Sequence, residues 1–176
     1  ITITLLIHNV ISGASIIYLA SRLNTRKIMI VSYSWTFLVG LITYLGLLKL
    51  AYFDFNISLA IALLSILNSF ISINSSLLIG NEKIMKSNVL NFLVPFLTLV
   101  FLFVQFYFYD SRDVSAYISA LFFSYTLVFV FSIYYVKANF FEIDSINSKL
   151  ITTFKSLFTF GFQNQLAHVF QLFSFR

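Results

Sequence analysis

Residues 57–79 read Ile57-Ser-Leu-Ala-Ile-Ala-Leu-Leu-Ser-Ile-Leu-Asn-Ser-Phe-Ile-Ser-Ile-Asn-Ser-Ser-Leu-Leu-Ile79, and Gly80-Asn-Glu-Lys-Ile-Met-Lys86 follows directly. The run has no charge, no proline and no glycine. A bilayer core takes roughly 20 apolar residues in helical form, so this run spans one. It does not alternate with period two, as a membrane barrel strand would. Its polar residues are spaced instead for a helix. Ser65, Asn68, Ser72 and Ser75 recur at steps of three and four, which places them on one face.

The same rhythm extends in both directions. Further apolar runs cover 1–20, 28–48, 89–109 and 114–136, and another begins near Leu157. Short polar connections separate them. Over the 176 residues, 60% are hydrophobic and only 10% charged, with a mean hydropathy of +0.94. A water-soluble domain carries about 25% charged residues and needs them to cover its surface. The expected architecture is therefore an all-α, polytopic transmembrane helical bundle with about five spans and the start of a sixth.

Charge sets the expected orientation. Arg22, Arg26 and Lys27 follow the first span, Lys83 and Lys86 the third, and Lys137, Lys149 and Lys155 the fifth. The opposite loops hold only Lys49 and Arg112. Basic loops stay in the cytoplasm, so alternate loops are placed there. The first span then runs from outside to inside, and one missing N-terminal helix is the simplest expectation. Ile1 and Arg176 both lie within apolar runs, so the chain reads as an internal piece of a longer protein. The net charge of +5 is accounted for by topology, and no nucleic-acid partner is expected. The bilayer is the expected partner.

The chemistry of many enzymes has no parts here. There is no Cys, and two His do not make a metal cage. All six acidic residues, Asp54, Glu82, Asp110, Asp113, Glu142 and Asp144, fall in loops or at span ends. No catalytic residue, metal site or cofactor is expected, and the chain is read as a non-enzyme.

Polar groups inside the spans are the candidate functional residues, because a polar side chain in lipid needs a partner or a cavity. Asn68 and Ser72 are drawn from the third span. Asn91, Pro95 and Thr98 continue on the fourth at steps of four and three, with Gln105 beyond. Pro95 interrupts the hydrogen-bond ladder and is a hinge candidate. Thr2, Asn9 and Gly13 share a face of the first span, with His8 beside it. Thr36 and Gly40 form a close-packing pair in the second. Helix packing and lining of a polar pathway both account for these stripes.

Residues 145–158 place Ile146, Leu150, Ile151, Phe154, Leu157 and Phe158 at helical spacing. They fit an amphipathic helix on the cytoplasmic face or the polar lead-in to a span. The organisation expected is 1–137 for one group of helices, 138–156 for a cytoplasmic linker, and 157–176 for the start of a second bundle. In that last segment Asn164, His168 and Gln171 form a stripe, and Arg176 lies past it. If the membrane is entered near Leu157, Arg176 is about 28 Å deep at 1.5 Å per residue and reaches the far interface. If it is entered near Gln163, Arg176 is about 20 Å deep and faces a cavity.

Two stretches carry a resemblance to a known family. Gly80-Asn-Glu-Lys-Ile-Met-Lys-Ser-Asn-Val-Leu-Asn-Phe-Leu-Val-Pro-Phe-Leu97 resembles the loop and following helix of Wzx-type polysaccharide flippases, with G-x-E-K-I-x-K-x-N before a helix with an early Pro. Phe160-Gly-Phe-Gln-Asn-Gln-Leu-Ala-His-Val-Phe-Gln-Leu-Phe-Ser-Phe-Arg176 resembles the opening of that family's second bundle. There Phe175 stands for a usual Tyr, Ser174 for Asn, and His168 for a frequent Asn. Ser15-Ile-Ile-Tyr-Leu-Ala-Ser-Arg22 fits loosely the end of the family's second helix.

The resemblance implies the multidrug/oligosaccharidyl-lipid/polysaccharide exporter superfamily. The fold would be MATE-like: two bundles around a central cavity, with helices two to six and the start of the seventh represented here. The substrate would be an undecaprenyl-diphosphate-linked oligosaccharide, flipped across the bacterial inner membrane for polysaccharide or O-antigen assembly. Arg176 would meet its anionic part, and other polysaccharide-assembly proteins would be partners. A multidrug or cation exporter of the same superfamily and a membrane-embedded polymerase or glycosyltransferase are the alternatives.

The loop charges make a direct prediction. A reporter active only in the cytoplasm is expected to work when fused after Lys86 and to be silent after Arg112. Equal activity at both positions would contradict the orientation.

Overall fold

The computed structural model describes residues 7–50, 55–110, 113–141 and 149–174. Every regular element among them is helical. A 3-10 turn, Asn9–Ile11, precedes α1 (Ala14–Ala20), α2 (Thr25–Leu50), α3 (Phe55–Gly80), α4 (Ile84–Phe108), α5 (Val114–Phe141) and α6 (Leu150–Ser174). The chain is all-α. Four stretches, Thr25–Lys49, Phe55–Gly80, Ile84–Phe108 and Val114–Lys137, are long and apolar enough to cross a membrane. They coincide with the expected second to fifth spans, and they make this a membrane protein.

Helix α3 is central. It packs against α1, α2, α4 and α5, and Ile71, Ile73, Leu77 and Leu78 on it are buried. Its packing is polar as well as apolar. Asn74 is fully buried, accepts a hydrogen bond at Oδ1 from Tyr33 Oη of α2 at 2.7 Å, and donates from Nδ2 to Ser132 Oγ of α5 at 2.8 Å. Ser132 in turn donates to the Phe129 carbonyl at 2.7 Å. One turn before Asn74, the Phe70 ring lies between Tyr33, at 4.5 Å, and Phe129, at 5.3 Å. Three helices are thus tied at one level of the bundle.

Helix α4 hangs at the edge, paired with α3 and α5. Phe92, Phe96, Leu99 and Phe103 of α4 are 63%, 47%, 67% and 60% exposed. They recur at steps of four, three and four, so they form one outward stripe. In water such a patch would be an aggregation site; on a membrane-spanning helix it suits lipid or another apolar helix. The turn that joins α3 to α4 is tight. Lys83 N–H donates to the Leu78 carbonyl at 2.7 Å and Glu82 N–H to that of Ile79 at 2.9 Å, with Glu82 at a φ of 60°. This is the left-handed helix ending known as the Schellman motif, built on Glu where Gly is usual.

The first segment differs from the unbroken span expected over 1–20. Within its described part the helix stops at Ser12, which is extended, and Gly13 takes φ 60°, ψ −125°. That conformation is open to Gly and strained for other residues. Ser15 Oγ donates to the Ser12 carbonyl at 3.1 Å across the break. The shared helical face of Asn9 and Gly13 is therefore lost; Thr2 lies outside the described residues.

Helix α6 runs unbroken through residue 157. It packs on the 3-10 turn, α1 and α2. Thr153, Leu157 and Gly161 are its buried stripe, at steps of four. At Gly161 the α6 backbone comes so close to the carbonyl of Val10 that a Cβ would collide with it. Trp35 of α2 completes this side. Its Nε1–H donates to the Ile7 carbonyl at 3.3 Å, and its ring lies 6.3 Å from Phe154 and 6.0 Å from Phe158.

Two glycines give opposite expectations. Gly46 in α2 has open space where a Cβ would go, so Gly46→Ala is expected to stabilise by about 0.5–1 kcal/mol through helix propensity. Gly161→Ala meets backbone that has nowhere to move, and is expected to lower the thermal midpoint in detergent. Equal midpoints for the two variants would contradict this packing.

Candidate binding cleft

The polar faces of α3 and α4 meet along a cleft of about 460 Å³. From α3 it takes Asn68, Ser69, Ser72, Ser75 and Ser76, and from α4 Asn91 and Pro95. Asn68, Ser72, Asn91 and Pro95, all singled out by spacing, therefore lie in one place. The reason is geometric. The short turn at 81–83 folds α4 back along α3, so stripes at equal distance from the turn face one another.

Hydrogen bonds close the end of the cleft near the turn. Ser75 Oγ and Ser87 Oγ are 2.5 Å apart, and Ser75 Oγ also lies 3.3 Å from Asn91 Oδ1 as a donor. Ser76 Oγ turns inward to the Ser72 carbonyl at 2.8 Å. Ser69 is different. It is 2% exposed, lines the cleft, and its Oγ has no hydrogen-bond partner among the described residues. A buried hydroxyl without a partner costs about 1–3 kcal/mol, so it marks where a ligand or water would be held. Pro95 adds an acceptor. It has no N–H to give to the Asn91 carbonyl, four residues earlier, and that carbonyl belongs to a residue lining the cleft. Pro95 sits inside a helix that continues on both sides of it.

No residue lining the cleft is ionisable. The cleft is thus a set of neutral donors and acceptors in an apolar setting. Such a set suits hydroxyl and amide groups better than an ion. Among the described residues no group of three His, Cys, Asp or Glu could hold a metal.

The polar stripes do not stay together along their whole length. Ser65 points its hydroxyl to the Ala62 carbonyl at 2.8 Å. Thr98 bonds the Val94 carbonyl at 2.8 Å, and Gln105 reaches Ser119 of α5 at 3.3 Å. The first two hydroxyls are satisfied within their own helices, and Gln105 bonds across to a neighbour. Asn164 and Gln171 are elsewhere, on α6, which packs on the other side of the bundle against α1 and α2. Asn164 is half-buried and Gln171 exposed. His168 is on α6 too, but its side chain, like the whole of Arg176, lies outside the described residues. Nothing in the described residues joins the α6 stripe to the cleft.

One polar residue escaped the reading by spacing, and a second was noted without its setting. Asn74 lies on the opposite side of α3 from Ser65, by about 180° at 3.6 residues per turn, and so belonged to no stripe. His8 is 1% exposed, and among the described residues neither of its ring nitrogens has a partner; its position beside a helix break is not legible from a continuous apolar run.

Comparison with protein-family models, characterised sequences and solved structures finds no match for this chain.

The cleft predicts a contrast between two serines about one and two-thirds turns apart. Ser69→Ala removes an unpartnered buried hydroxyl and is expected to leave the thermal midpoint unchanged or raised. Ser75→Ala removes a bridge between helices and is expected to cost about 0.6–1.7 kcal/mol. A larger loss at Ser69 than at Ser75 would show that Ser69 has a structural partner.

Proposed function

We propose that this chain is part of a membrane transporter that flips a lipid-linked oligosaccharide across the bacterial inner membrane. In this reading the oligosaccharide is carried on undecaprenyl diphosphate, and the described helices belong to the first of two MATE-like bundles. The chain then contributes five spans and the start of a sixth, with α6 leading from one bundle into the next. The observation that carries the reading is the uncharged polar cleft between α3 and α4. Sugars offer hydroxyl groups that both donate and accept, and Asn and Ser side chains answer both roles.

Its setting supports the same reading. The cleft opens among apolar helices and begins beside the basic turn at Lys83, on the side where a lipid-linked substrate is made. Hydroxyl-lined binding without a carboxylate fits a glycan better than a cation. Arg176 is the residue assigned to the diphosphate, since a guanidinium bonds phosphate oxygens in pairs. Asn164, His168 and Gln171 are assigned to the same path.

Complementation in a strain lacking the full-length protein tests this. Asn68→Leu with Asn91→Leu, which keeps bulk but removes the hydrogen bonds, is expected to cut surface polysaccharide at least tenfold at equal expression. Arg176→Ala is expected to abolish it, and Arg176→Lys to retain part. Wild-type export by the cleft variant and by Arg176→Ala would refute the proposal.

A further inference from the structure

A second groove lies on the opposite side of the bundle, between the first halves of α2 and α6. Its volume is about 340 Å³, at the small end of ligand sites, which run about 300–1,000 Å³. Ile30, Val31 and Leu38 form one wall, and Leu150, Ile151 and Phe154 the other. Trp35 lines it as well, held by its bond to the Ile7 carbonyl. The groove is open: Ile151 is 79% exposed and Leu150 49%. It is apolar throughout apart from Ser34.

One end of this groove is basic. Ile30 and Val31 are one turn from Arg26 and Lys27, at the start of α2. Leu150 and Ile151 directly follow Lys149, at the start of α6. Because these residues line the same groove, the three cations are brought to the same end of it. Arg26 and Lys149 are exposed. Both helices also begin at this end, and their first-turn N–H groups add partial positive charge. Among the described residues no carboxylate lines the groove.

We infer that this groove is a binding site for an anionic phospholipid of the surrounding bilayer. One acyl chain lies between α2 and α6, against Trp35 and Phe154, and the headgroup phosphate sits among Arg26, Lys27 and Lys149. The division of labour follows from the medium. Lipid tails are as apolar as the groove walls, so the groove orients a chain without selecting it. Selection rests on charge, worth about fivefold for each Lys or Arg near the surface. By the loop-charge rule this end lies at the cytoplasmic interface, the depth at which a lipid phosphate is found. The site is separate from the α3–α4 cleft and does not rest on the transport reading.

Native mass spectrometry of the full-length protein in detergent is the test, with phosphatidylglycerol and phosphatidylcholine of identical acyl chains as probes. Phosphatidylglycerol is expected to be retained at least tenfold better. In the variant Arg26→Gln, Lys27→Gln, Lys149→Gln that preference is expected to vanish, while phosphatidylcholine retention stays as it was. Lys149→Gln alone changes an exposed residue outside the helices and provides the reading should the triple variant not fold; it is expected to weaken phosphatidylglycerol retention about fivefold. Ile151→Trp, which fills the groove, is expected to reduce retention of both lipids. Equal retention of the two lipids by the wild type would overturn the proposal. So would a wild-type preference in the charge-neutral variant, or in Lys149→Gln if only that variant folds.

Discussion

Inside a bilayer, helices gain little from hiding apolar surface, because the lipid is equally apolar. What holds one helix against another is close contact and the few polar bonds that lipid cannot supply. In this bundle the Asn74 carboxamide makes two such bonds, to Tyr33 and to Ser132. Its acceptor serves α2 and its donor serves α5, so α3 is fixed in rotation between them. Interhelical bonds of this kind average about 0.6 kcal/mol. Their value lies in specifying one arrangement as much as in strength. The stacked rings of Tyr33, Phe70 and Phe129 sit at the same level and require the same rotation.

That rotation decides where the remaining polar groups go. With Asn74 turned toward α2 and α5, the Asn68–Ser72–Ser75 stripe is turned toward α4. The cleft is thus a by-product of the lock on the other side of the helix. It also explains why α4 can hold an unsatisfied cavity along its inner face. Its outer face of Phe92, Phe96, Leu99 and Phe103 is content in lipid, and its own anchors, Ser87 near the turn and Gln105 near the far end, bracket the open stretch rather than fill it.

The all-α class and four spanning helices were legible because length and uninterrupted apolarity are local properties. The union of Asn68, Ser72, Asn91 and Pro95 was legible for a related reason: a short turn forces equal distances from it to coincide. Three features were not. Asn74 makes its bonds to residues far away in sequence, and a lone polar residue on a helix says nothing of its partners. The break at Ser12–Gly13 is invisible because Gly is tolerated in membrane helices; only the packing of α6 shows that the chain bends there. The separation of Asn164 and Gln171 from the cleft depends on which neighbour α6 chooses, and periodicity within α6 does not contain that information.

The contact between Gly161 and Val10 joins a late segment of the chain to an early one. The helices between them pack both on neighbours, α2 with α3 and α4 with α5, and across the bundle, α3 with α5 and α1 with α3. Such pairs close as soon as the second member is synthesised. The bent segment at 9–13 has no such partner beside it in sequence. It is covered by α6, whose Gly161 lies against the Val10 carbonyl. Among the described residues, the bent turn near the start is therefore completed by α6, the last helix described.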